Sequence, residues 1–166
     1  MKLTQWSDYC LRVLMYCAAS AGREQPVTIG EIAEAHAISR SHLTKVVMAL
    51  AAQGWLETTR GRGGGLRLAR PAREIRVGAV LRGTEGDFTT LVECFEPATS
   101  HCLIDGRCRL KSALERALAS FLAELDSVTL DDLVRPAPAT AGRGGSAPLT
   151  FQLSPALPRR ATARQR

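Results

Sequence analysis

No stretch of this 166-residue chain is apolar enough over enough residues to span a membrane. The opening MKLTQWSDYC lacks the order of a secretory signal, which runs basic, then apolar, then small. The expectation is a cytoplasmic protein of one compact domain or two small ones rather than a large enzyme. No Ser, His and Asp set stands out as a nucleophilic triad, and paired C-x2-C spacing is absent. The glycines of RGRGGG, residues 60–65, are not followed by Gly-Lys-Ser/Thr, so a phosphate-cradling loop is a poor reading. Cysteine is present in odd number, five. A reducing compartment disfavours stable disulfides, so metal or redox chemistry outranks a covalent framework.

The formal charge of +6 is unevenly divided. Residues 1–82 hold twelve Lys or Arg against six Asp or Glu, residues 83–134 hold four against ten, and residues 135–166 hold six against none. The first segment is a candidate polyanion binder attached to an acidic module that carries three cysteines. The last segment has the Pro, Ala, Gly and Arg composition of a disordered basic tail.

In the basic segment, Trp6, Tyr9, Cys10, Val13, Leu14 and Cys17 recur at helical spacing from Gln5 to about Ala21. Cys10 and Cys17 share one face and read as small core residues. Thr28 and Glu31 form a capping box for a second helix. A third opens at Ser39 and runs through RSHLTKVVMALAAQG, with Leu43, Val46, Val47 and Leu50 apolar and Gly54 as terminator. Two short helices with a tight turn between them make a helix-turn-helix, whose second member would enter the major groove. Arg40, Ser41, His42 and Lys45 stand on that recognition helix. His42 is equally an exposed helix residue, and His36 reads as a turn or surface residue. WLETT and LRLAR read as strands joined by RGRGGG, a hairpin wing in which glycine permits close approach and Arg60 and Arg62 meet phosphates or the minor groove. Standing alone, it would be an ordinary solvated hairpin; after a helix-turn-helix it points to DNA.

A short helix through Val77, Val80 and Leu81 leads into the acidic segment and to Cys94, Cys102 and Cys108. From Leu110 the residues Ala113, Leu114, Ala117, Leu118, Phe121, Leu122 and Leu125 follow helical spacing for about four turns. That face needs a partner, and the same helix of a second chain is the economical one, although its own domain could cover part of it. The fold class expected is mainly α with a small β-wing, a winged helix-turn-helix plus a long dimerisation helix. Three thiolates suit an iron-sulfur cluster that takes its last ligand elsewhere, because soft sulfur selects iron-sulfur centres, zinc or copper(I). His101 could complete a Cys3His zinc site, but adjacent ligands at 101 and 102 strain a tetrahedron.

SDYCLR, ISRSHLTKVV, RGRGGGLRLARP and the segment from LVECFEPATSHC to TLDDL together resemble the iron-sulfur winged-helix repressors, and within them the nitric-oxide-sensing NsrR branch. The resemblance covers residues 1 to about 134. It implies that Cys94, Cys102 and Cys108 ligate the cluster and that Asp8 completes a 4Fe-4S site from the partner subunit, a 2Fe-2S site being the other possibility. On its own, Asp8 reads as a first-turn residue favoured by the helix dipole and paired with Arg12, together worth about 0.5–1.5 kcal/mol. The related regulators of cluster assembly carry a histidine shortly after the third cysteine, where this chain has Arg109, Leu110 and Lys111. The function implied is that of a homodimeric repressor on a palindromic double-stranded DNA operator, released by nitric oxide, which derepresses detoxification genes. Alternatives are an iron-sulfur regulator of another stimulus, such as iron or cluster status, and a zinc or thiol redox protein.

Overall fold

The computed structural model describes residues 3–85, 88–96, 98–104 and 107–135. The tail expected to be disordered lies, beyond Arg135, outside the described residues. Helix α1 (Gln5–Ala19) begins where the Thr4 hydroxyl accepts the Ser7 amide at 3.3 Å, and it buries Ser7, Cys10, Val13, Leu14 and Cys17 at spacings of three and four. It ends at Ser20, a residue or two short of the expected Ala21. The capping box is present at the start of α2 (Ile29–His36): the Thr28 hydroxyl accepts the Glu31 amide at 3.2 Å, and the Glu31 carboxylate accepts the Thr28 amide at 2.7 Å. The turn that follows is carried by Ala37 in the left-handed region, φ 52°.

Helix α3 (Arg40–Ala52) is capped by Ser39, buries Leu43, Val46, Val47 and Leu50, and stops before Gly54 at φ 74°. Strands β1 (Leu56–Thr59) and β2 (Gly65–Leu68) pair antiparallel, Leu56 opposite Leu68 and Thr59 opposite Gly65. The second strand begins one residue earlier than expected, and Ala69 and Arg70 fall outside it. Its outer edge is also closed, since Val27 and Leu66 exchange hydrogen bonds of 3.1 and 2.7 Å. This bridge escapes a sequence reading, because one paired residue leaves no alternation to detect.

Helices α4 (Val77–Thr84), α5 (Arg109–Ser127) and α6 (Leu130–Val134) complete the chain, with one-turn helices at Ala72–Glu74, Phe88–Leu91 and Glu93–Phe95. The boundary expected between residues 82 and 83 falls inside α4. Helix α6 was not anticipated; it carries its own capping box, Thr129 with Asp132, and Leu130 is wholly buried against the N-terminal core. That core gathers Cys10, Val13, Leu14, Ile32, Leu43, Leu50, Ile75 and Leu130, with α1 at its centre touching α3, α4, α6 and β2. Gly78 lets α5 approach α4, for a Cβ there would stand 2.2 Å from an Asp126 carboxylate oxygen. Arg82 then grips that carboxylate at 2.6 and 2.5 Å. The architecture is mainly helical with one small antiparallel hairpin, as expected. None of the residues of α5 is fully buried, and Leu110 at its start is 63% exposed.

Candidate nucleic-acid interface and metal centre

The residues of α3 expected to contact DNA face solvent. Arg40, Ser41, His42 and Lys45 are all exposed on α3. Ser39 organises its start, its hydroxyl accepting the His42 amide at 3.4 Å and lying 3.3 Å from the Ser41 hydroxyl. Arg40 is held only by a 3.8 Å pair with Glu34, both largely exposed, a contact worth little by itself and easily exchanged for a phosphate. Arg60 and Arg62 are exposed in the hairpin loop and form no ion pair among the described residues. The loop reverses through Gly61 and Gly63, with φ 96° and 83°, where side chains are disfavoured. Basic groups on α3 and in the hairpin loop therefore face solvent, and of these only Arg40 pairs with a carboxylate among the described residues, that of Glu34.

The three sequence-identified cysteines lie between the end of α4 and the start of α5. Cys94 is buried in a one-turn helix, and Cys102 and Cys108 are half-buried. The Glu93 carboxylate accepts the His101 amide at 2.7 Å, which holds the neighbours of Cys94 and Cys102 together. The Ser100 hydroxyl accepts the Cys102 amide at 3.3 Å. Cys108 is the N-cap of α5, its Sγ accepting the Lys111 amide at 3.4 Å. Hydrogen bonds to sulfur tune iron-sulfur centres, and the donor set of three thiols on one loop fits such a group. Among the described residues no three His, Cys, Asp or Glu side chains converge as a single ion requires. His101 is exposed.

Asp8 is on the first turn of α1, where its carboxylate receives Arg12 Nε at 2.9 and 3.0 Å, each side chain about half exposed. Within one chain it is thus engaged with Arg12. Two features near it were not anticipated. The adjacent Tyr9 has its ring 6.4 Å from that of His42, so α1 touches α3 directly, and Gln5 donates to the Tyr9 hydroxyl at 2.8 Å. The start of α1 is also tied to the end of α4: the Ser7 hydroxyl donates to Thr84 at 2.9 Å, and the Thr4 amide donates to the Glu85 carboxylate at 2.8 Å. Burial opposes charge on Glu85, yet the bonds from Ser7 and Thr4 hold its carboxyl below the usual range. Such contacts span nearly eighty positions and leave no periodic trace in the sequence.

The remaining cysteines are apart from this chemistry. Burial pushes the Cys10 thiol to about 12, and burial with the nearby Glu31 does the same for Cys17, also to about 12. His36, expected at a turn or on the surface, ends α2 half-buried with its ring edge-on to Tyr16 at 6.1 Å. A terminal helix position between two alanines gave no sign that Tyr16 would fold against it.

Residues 3–136 match the profile of the Rrf2 family, described as iron-dependent transcriptional regulators. The chain belongs to the Rrf2 family. It is 45% identical over 134 residues to the HTH-type transcriptional regulator NsrR of Bacillus licheniformis, covering 81% of this chain and 92% of that one. Identity to the Bacillus subtilis regulator of the same name is 47% over 135 residues, 81% and 91% of the two chains. Among solved structures it is similar to IscR of T. potens, with a TM-score of 0.67 and 29% identity over 87% of this chain and 94% of that one. This Rrf2 chain is a DNA-binding transcriptional regulator, and its relatives are named as regulators rather than enzymes. No helix among its described residues is long and apolar enough to cross a membrane.

Proposed function

We propose that this Rrf2 regulator is a homodimeric repressor that occupies a palindromic operator and leaves it on exposure to nitric oxide, derepressing genes for nitric oxide detoxification. Cys94, Cys102 and Cys108 of one subunit and Asp8 of its partner hold a 4Fe-4S cluster. The observation that carries this reading is the single cysteine loop, closed by Glu93 and His101 and ended by Cys108 at the start of α5, in a chain nearly half identical to regulators named NsrR. When bound, the cluster supplies iron that reacts with nitric oxide. The protein's part is coupling. Asp8 has two uses, as a ligand or as the partner of Arg12, and each sets a different restraint on the first turn of α1. The same turn carries Tyr9 against His42 of α3. Ligation and DNA reading thereby bias one helix, which is the requirement for linkage between two sites. Two recognition helices related by a two-fold axis match a palindrome.

The test is purification without oxygen, followed by iron content, the visible spectrum and operator binding before and after nitric oxide. Iron-sulfur absorption that nitric oxide bleaches, with parallel loss of DNA binding, is the expected result. A colourless zinc protein, or a coloured one that keeps its operator under nitric oxide, overturns the proposal.

A further inference from the structure

Between α3 and the hairpin lies a cleft of about 560 Å³, whose walls include Thr44 and Met48 of α3 and Thr58, Thr59 and Arg60 of the hairpin. None of its described lining residues is acidic; Glu57, the one carboxylate of β1, lines a separate cavity beside Arg67 and Pro71. Met48 is one turn beyond Lys45 on the exposed side of α3 and is itself 68% exposed. Thr58 and Thr59 are exposed, and neither hydroxyl has a partner among the described residues. The cleft is also pre-formed. A Cβ at Gly64 would lie 2.1 Å from the Thr59 carbonyl oxygen, and one at Gly65 would lie 2.4 Å from that of Val27, so the hairpin is drawn tight on both sides.

A protein that places a helix in the major groove and a hairpin in the adjoining minor groove must straddle the sugar-phosphate strand between them. We propose that this cleft seats that strand. Thr58 and Thr59 donate their hydroxyls to phosphate oxygens, Arg60 supplies the cationic contact, and Met48 packs on deoxyribose carbons. The inference rests on the DNA-reading assignment of α3 and the hairpin and gives that surface a second kind of contact. Hydroxyl donors neutralise no phosphate, so their share of the affinity is insensitive to salt and to base sequence.

The test uses the full-length protein, a duplex that it selects from a random pool, and a scrambled duplex of the same composition, titrated over a range of salt. Thr58→Val and Thr59→Val should each weaken both duplexes by about tenfold, because a hydrogen bond to a charged oxygen is lost, with an unchanged log-log salt slope. Arg60→Ala should weaken both and lower the slope by about 0.9. Met48→Glu, which turns a carboxylate toward the strand, should abolish binding to both. All four positions are exposed, so melting temperatures serve as the check on folding. Lys45→Ala on α3 separates the two levels of the argument. If it changes the preference between duplexes while the threonine and methionine variants bind normally, the cleft is not the seat and the helix-turn-helix reading stands. If Lys45→Ala and every cleft variant bind as the native protein does, the DNA-reading assignment falls and the cleft with it. Losses confined to the selected duplex would assign these residues to base reading and overturn the backbone role.

Discussion

Residues of one type play different parts here, and burial separates them. Cys10 and Cys17 have thiols near 12, so at pH 8 only about one in ten thousand is a thiolate, the form that reacts. In reduced, iron-free protein an alkylating agent should label Cys102 and Cys108 first and reach Cys10 and Cys17 only on unfolding; peptide mapping that finds all five equally labelled in the native state would refute this order. His36 makes a second prediction. Burial first, and then the nearby Arg12, depress its pKa, with Asp8 working in the opposite direction. The unfolded chain, at about 6.5, binds the proton more tightly than the folded one. The stability that comes from a neutral His36 is therefore present above about 6.5 and is lost as pH falls through the depressed folded value. Replacing His36 by Phe, which keeps a ring against Tyr16, should flatten this acid-side loss in urea unfolding measured at successive pH values. An unchanged pH profile would assign the loss to other groups.

At the scale of elements, the helix-turn-helix was legible because each boundary has a local cause. Thr28 with Glu31 and Ser39 with the His42 amide mark the two starts, and apolar residues at three and four spacings mark the buried faces. The turn between them departs from the local rule, since Ala37 takes a left-handed conformation that costs a residue with a Cβ roughly 1–2 kcal/mol. Ala37→Gly should relieve this, less the greater entropy that glycine loses on folding, for a net gain of about 0.5–1 kcal/mol. Calorimetry should show a higher melting temperature, and a lower one would place another demand on the Ala37 methyl. Helix α6 and the Val27–Leu66 bridge were illegible for the opposite reason. The five-residue helix and the one-residue bridge are too short for periodicity, and both exist because distant partners, the α1 core and β2, are there to receive them. The cysteine loop was legible as chemistry from residue type alone, whereas its hydrogen-bonded closure by Glu93 depends on a turn that no propensity announces.

At the scale of the molecule, a single chain leaves two things unfinished. The long α5 buries none of its residues completely, and Asp8, expected as a cluster ligand, is occupied by Arg12. Large exposed apolar side chains, Trp6 on α1 and Leu103, Ile104 and Leu110 at the cysteine loop and the start of α5, flank both. A second copy can cover the apolar residues and bring a carboxylate to the loop in one step. The prediction that isolates ligation across the interface is a heterodimer of an Asp8→Ala chain with a Cys102→Ala chain. Were Asp8 to ligate in trans, one site would combine the three cysteines of the first chain with the aspartate of the second, and the other site would lack both a cysteine and the carboxylate. Were it to ligate within its own chain, each site would lack one ligand and neither would be native. Differently tagged chains, co-purified without oxygen, allow iron per dimer and the nitric oxide response to be measured on the mixed species alone. Native-like behaviour in half the sites is the expected result. Its absence in an intact heterodimer would leave Asp8 to Arg12, or place its ligation in cis.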